Sequence, residues 1–268
     1  MEGSSGLPIA QLRIHLVAET RFVLNAWDEA PWRVWETTSA RDAEVLAEFA
    51  GRLCYQSWHR PNPATARNED YLRNILAQGH FSVLEHAGFT VVLTGVSRAF
   101  THEMVRHRHF SYSQLSQRFV DEERAAVVVP PLFRDDPEAL AILEEVHRKT
   151  QEAYARLVRL AQRKLEGLAD RRMRRKRARE AARCVLPNMT ETHIVITGNH
   201  RAWREFFEKR GSLHADAEIR EVAVRIFTEV ARPLAPHIYQ DFEVVEHRLP
   251  NGEAVPVLRR HPLPASGE

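Results

Sequence analysis

Apolar positions along this chain follow two periods, and the alternation between them predicts its elements. Leu12 to Val17 and Phe89 to Val96 are runs of β-branched and aliphatic residues and predict strands. Thr192 to Thr197 predicts a third, and Phe242 to Val245 a short last one. Ala43, Leu46, Phe49, Ala50 and Leu53 instead recur at helical spacing behind two capping candidates, Thr38 and Ser39. A short helix from about Asp70 is expected to stop at Gly79, and Ser97 or Thr101 to open one through Phe100, Met104 and Val105. Asp135 or Asp136 with Pro137 predicts the start of a long helix. Its apolar positions are Leu140, Leu143, Val146, Thr150, Tyr154, Leu157, Ala161, Leu165 and Leu168. About 30 residues at 1.5 Å each make a rod of roughly 45 Å, a length expected in a subunit interface. Another helix runs through Arg183 and stops before Pro187. Asn199 begins one that ends near Gly211, and Ala217 to Ala231 is amphipathic. Asn251-Gly252 is a hairpin signal, after which the tail is expected to fray.

The pattern contains no repeat and no clear linker. It reads as one α/β (α+β) domain over residues 11–245, with a disordered stretch at 1–10 and a tail at 246–268. Composition changes this little. Of 268 residues, 44% are hydrophobic and 28% charged, as in ordinary globular proteins. No apolar run approaches the roughly 18–20 residues that cross a bilayer, and the start lacks a secretory pattern, so the cytoplasm is expected. Cys54 and Cys184 have neither zinc nor redox spacing, and no metal is expected. The net charge of +2 excludes a strongly polycationic protein but allows local anion sites.

The chemistry concentrates between Arg106 and Arg118, in RHRHFSYSQLSQR. Successive side chains on a helix diverge by about 100°, so Arg106, His107 and Arg108 cannot share one face. At a helix end they fan toward separate partners. If the next stretch is extended, Tyr112, Gln114, Ser116 and Arg118 fall on one side, a surface suited to phosphate and pyrimidine. A solvated basic turn is the plainer reading of an isolated RHR. Phe110, Leu115 and Phe119 flank this one, and a loop held against a core needs its charges paired.

Arg106-His107-Arg108 followed by seven residues and Ser116 resembles the flavin-dependent thymidylate synthases, in particular their actinobacterial branch. Residues 54–58, 79–86, 182–187, 198–203 and 214–216 agree in order and spacing, so the resemblance spans about Gln11 to Val245. It implies one domain with a central, mostly antiparallel sheet and long flanking helices. It also implies a homotetramer with active sites shared between subunits. The implied reaction converts dUMP to dTMP, with 5,10-methylenetetrahydrofolate as carbon donor, NADPH as reductant and FAD as cofactor.

Residue by residue, the resemblance implies FAD contacts for Ser82, Arg106, His107, Arg108, Gln114, Asn199, His200, Arg201 and Glu205. It implies dUMP contacts for Glu103, Arg106, Gln114, Leu115, Ser116, Gln117, Arg118, Arg183 and Arg210. Many members carry Glu at the position of Gln114, and some carry His or Asn at that of Glu205. Arg210 resembles the catalytic arginine. A permanent cation at the pyrimidine edge would stabilise N3-ionised uracil, enrich C5 and remove the need for a cysteine nucleophile. Each residue also has a structural alternative: a helix cap for Ser82, a local salt bridge for Glu103 with Arg106, an exposed helix position for Arg183. The run Arg171 to Arg177 invites a nucleic-acid reading, but without interleaved aromatics a solvated face is expected, with neither nucleic acid nor membrane as partner. Two rivals stay open: a nucleic-acid module, and a flavoprotein whose substrate differs through Gln114 and Glu205.

Overall fold

Four strands, β1 (Arg13–Glu19), β2 (Gly88–Ser97), β3 (Phe110–Gln114) and β4 (Glu191–Asn199), form a sheet in the order β1-β2-β4-β3. This is a computed structural model describing residues 6–25, 28–59, 62–250 and 252–263. Neighbouring strands run antiparallel. The Thr20 amide donates to the Gly88 carbonyl at 3.0 Å, joining the end of β1 to the start of β2, and the Leu115 amide donates to His193 O at 2.9 Å, joining the end of β3 to the start of β4. The hydroxyls of Thr90 and Thr197 meet at 2.9 Å where β2 begins and β4 ends. β4 alternates buried and open positions along its length, the period of a strand with one face on a core. Gly95 in β2 has φ +69°, and a Cβ there would lie 2.0 Å from Gln11 O, so only glycine fits.

The chain packs as two compact units, and the strands contribute to both. One comprises Met1–Arg13, Val92–Arg106 and Tyr112–Val195. It holds α3 (Arg98–Met104), α4 (Pro137–Lys164) and α5 (Arg171–Ala182). Asp136 caps α4 by accepting from the amides of Glu138 and Ala139, and α4 packs against α5. Of the 28 residues of α4 only Tyr154 is buried, while Ile142, Val146 and Leu160 are exposed. Leu7, Val127 and Val129 form a buried cluster and Ile9 bridges to Val127, so ordered packing begins inside the stretch expected to be disordered.

The other unit comprises Ile14–Val91, His107–Ser111 and Ile196–Glu268. It holds α1 (Asp42–Tyr55), α2 (Asn68–Ala77), α6 (His200–Arg210), α7 (Ala217–Ile226) and the strands β5 (Phe242–Arg248) and β6 (Ala254–Arg260). Its core is aromatic: Phe89 stacks on Trp203 with ring centres 4.7 Å apart, and Phe206, Phe207, Phe227 and Tyr239 are fully buried. α1 begins at Asp42, three residues after the expected cap. The Ser39 hydroxyl instead donates to the buried Glu44 carboxylate at 2.6 Å. Among the described residues beyond Val245 the chain is paired, not frayed. β5 and β6 pair antiparallel with Val245 opposite Val257, and Val255, Val257 and Leu258 are buried. Asn251 of the hairpin signal, the first five residues and the last five lie outside the described residues.

Candidate active site

Ser97 caps α3 by accepting from the Phe100 amide, and the helix ends at Met104. The Arg106 amide closes the following turn on Glu103 O at 3.2 Å, so the Arg-His-Arg triplet leaves the helix there. Arg106 and Arg108 point into solvent, while His107 turns inward and is half-buried. The His107 ring meets Phe110 and Phe206 edge-on. Its Nε2 accepts a hydrogen bond of 3.0 Å from Nε of Arg210, the last residue of α6. Burial, followed by the charges of Arg210 and Lys209, pushes the His107 pKa down to about 4. The ring is therefore neutral at neutral pH. An acceptor at Nε2 places its proton on Nδ1, an assignment that follows from the hydrogen bond.

α6 starts without a loop, because Asn199 ends β4 and caps the helix, its side chain accepting from the Ala202 amide at 2.8 Å. The positions expected to contact FAD then divide. His200 is buried, with Nδ1 2.8 Å from the Tyr239 hydroxyl and its pKa lowered by burial, so its ring belongs to the core. Arg201 points outward and pairs with Glu85, and Glu205 pairs with Lys209. That last bond holds the Glu205 carboxyl below its usual range. A hollow of ≈ 400 Å³ lies at this junction, lined by Glu85, His86, Gly88, His109, Ser111 and Asn199 among others. Ser82 is exposed in the short turn Phe81–Glu85 that leads to it.

In the other unit, β3 ends at Gln114, which limits the expected alternation. Tyr112 and Gln114 share the inward side. The Tyr112 hydroxyl donates to Met104 O at 2.7 Å, and the Gln114 amide donates to Thr101 Oγ1 at 3.0 Å. Ser116 and Arg118 do not continue that row. The Ser116 carbonyl accepts from the amides of Phe119 and Val120 and closes a turn. Within the turn Leu115 and Ser116 are half-buried and Gln117 is buried, while Arg118 lies 3.6 Å from Glu180. Arg183 sits exposed where α5 ends.

Two residues not singled out from sequence belong to this second group. Arg98 is half-buried at the start of α3, and burial, together with the Arg183 charge, lowers its pKa against the opposing pull of Glu122. Glu122 is 3% exposed, its pKa is raised by burial, and its Oε1 has no hydrogen-bond partner among the described residues. A half-buried guanidinium with a second positive side chain acting on it is a place for an anion. Glu122 sits in Asp121-Glu122-Glu123-Arg124, which reads as a solvated charged run, so only its burial distinguishes it. Among the described residues no group of three or more metal-type ligands occurs, and Cys54 and Cys184 are exposed free thiols.

Residues 34–237 match the model of a family described as thymidylate synthase complementing protein. The chain is also similar to curated proteins named flavin-dependent thymidylate synthase. It is 50% identical over 236 residues to that of Mycobacteroides abscessus, covering 88% of this chain and 92% of the relative. It is 50% identical over 237 residues to that of Mycolicibacterium vanbaalenii, with the same coverage. To that of Mycobacterium tuberculosis it is 51% identical over 235 residues, covering 88% of this chain and 91% of the relative.

Proposed function

The chain belongs to the thymidylate synthase complementing family, the flavin-dependent thymidylate synthases, and from that premise we propose that it methylates dUMP to dTMP with 5,10-methylenetetrahydrofolate as carbon donor and NADPH as reductant. The observation that carries this reading is the bond between Arg210 and His107. A guanidinium stays protonated at any physiological pH, and a neutral imidazole at 3.0 Å fixes its direction without cancelling its charge. Such a preset cation stabilises negative charge developing on the N3–C4 edge of uracil, which makes C5 the nucleophile toward the one-carbon unit. No side-chain nucleophile has to add to C6, and the exposed thiols of Cys54 and Cys184 have no part in the reaction.

The residues fit a flavin dinucleotide. A hollow where β4 passes into α6 offers the polar side chains of His86, His109, Ser111 and Asn199, and the exposed guanidiniums of Arg106 and Arg108 have no carboxylate partner among the described residues. FAD would be held by Ser82, Arg106, His107, Arg108, Asn199 and Arg201, and when bound it supplies the redox step from NADPH. Arg98, Arg183 and the turn Gln114 to Arg118 hold the dUMP phosphate, and the half-buried Arg98 guanidinium gains a counter-charge from a dianion. The exposed apolar row Ile142, Val146 and Leu160 on α4 supports assembly as a homotetramer. Free exposed thiols suit the reducing cytoplasm.

The test is direct. Purified protein should be yellow, oxidise NADPH and form dTMP from dUMP and methylenetetrahydrofolate. Arg210→Ala should retain flavin and lose turnover, while Cys54→Ala and Cys184→Ala should keep it. Loss of catalysis in either cysteine variant, or a covalent thiol adduct on the uracil ring, would reject the mechanism.

A further inference from the structure

The last turn of α6 carries Arg210, and helix ends leave carbonyls without intrahelical donors. Gly211, which follows Arg210, has φ −77° and ψ −6°, so it makes no left-handed cap. Its carbonyl is satisfied from elsewhere: the Leu258 amide of β6 donates to it at 2.8 Å. The approach is close. A Cβ on Gly211 would lie 2.6 Å from Leu258 Cβ and 2.6 Å from Phe207 O, so glycine is required here by contact rather than by φ. Two further ties lie on the same helical face, at positions four and seven residues apart. Arg260 reaches Glu208 at 3.3 Å and Asp241 at 2.9 Å, and Asp241 grips Arg204 through both oxygens at 2.7 and 2.6 Å. Arg204, Asp241 and Leu258 are all buried.

We propose that the C-terminal hairpin β5–β6 is a positioning element for Arg210, holding α6 through Leu258 and Arg260 of β6 and through Asp241, which immediately precedes β5, so that the guanidinium keeps its bearing on the substrate. The hairpin starts at Phe242, beyond the residues 34–237 that match the family. The bond to Gly211 is independent of the hairpin's own ladder. In an antiparallel pair alternate residues turn their amides outward. Leu258 does so toward Gly211, and Pro256, two residues earlier on the same side, has no amide to give. A proline at 258 therefore removes the tie and spares the pairing of β6 with β5. This inference rests on the reading of Arg210 as the residue that stabilises ionised uracil.

The experiment uses full-length flavin-loaded enzyme carrying Leu258→Pro or, as a second route, Gly211→Ala. The control is Arg259→Ala, which breaks an exposed pair with Glu243 within the hairpin but no tie to α6. Both test variants should lower kcat for dTMP by about five- to tenfold at saturating dUMP, the scale of one lost hydrogen bond, with flavin content unchanged. The control should match wild type. In an Arg210→Lys background the same changes should have no further effect on kcat, because the group they position is gone. Unchanged kcat in both test variants, or an equal fall in the Arg210→Lys background, would overturn the proposal. Backbone hydrogen exchange separates this failure from that of the functional reading. Exchange at residues 208–211 should quicken in Leu258→Pro whatever reaction the enzyme runs, and unaltered exchange would remove the anchor itself. Full turnover in Arg210→Ala would instead remove the role of the residue being anchored.

Discussion

Replacing His107 tests the source of Arg210's direction. In His107→Ala the Arg210 Nε–H loses its acceptor at 3.0 Å and turns to water. Hydrogen bonds to charged groups contribute about 1.5–3 kcal/mol. If that restraint is fully used in the transition state, kcat falls by roughly 10- to 150-fold. His107→Gln, whose amide oxygen can accept, should recover part of the loss. Steady-state dTMP formation at saturating dUMP, folate donor and NADPH is the assay, normalised to flavin content so that weakened cofactor binding is not mistaken for a chemical effect. The pH profile adds a second check. The ring accepts only while neutral, and burial beside two cations pushes its pKa to about 4. kcat should therefore pass through the ordinary histidine range near 6.5 without a step from this group and fall only toward pH 4. The linkage has the same sign. The folded pKa lies below the unfolded value, so this group's contribution to stability is complete above about pH 6.5 and is lost as pH falls toward 4. An acid limb near 6.5 that disappears in His107→Gln, or an Ala variant with wild-type kcat, would refute the reasoning.

Two other outcomes follow from the packing. Asp241→Ala leaves the buried Arg204 guanidinium without its carboxylate and should cost about 3–5 kcal/mol in urea unfolding; a loss under 1 kcal/mol would mean that the pair is not buried in solution. Ile142→Glu combined with Val146→Glu places charges on the exposed face of α4 and should shift sedimentation from the proposed tetramer to smaller species, whereas sedimentation unchanged from wild type would move the interface elsewhere.

Most elements were legible because their residues obey local rules. The β-branched run of β2, the Asp136-Pro137 start of α4 and the Ser97 and Asn199 caps all act within a few positions of themselves. What stayed hidden depends on distant partners. Leu7 is ordered because Val127 and Val129 cover it, 120 residues and more along the chain. β6 carries an interior Pro256 and lacks a strand's regular alternation, and its place is set by pairing with β5 and by α6. At the site, the resemblance pointed to His107, Arg183 and Arg210 from local sequence. The 103-residue span that joins His107 to Arg210 has no local trace. Glu122 was concealed because a buried carboxylate and a solvated one look alike in a string of charges.

The direct passage of β4 into α6 at Asn199 has a mechanical consequence. With no intervening segment to bend, the rod is clamped to the sheet at one end, and the hairpin grips it at the other. A beam fastened at both ends does not slide. On the proposed role of Arg210, accommodation of differently sized pyrimidines would fall to torsions of its side chain, and altering its length by a methylene should disturb selectivity more than trimming the helix surface would.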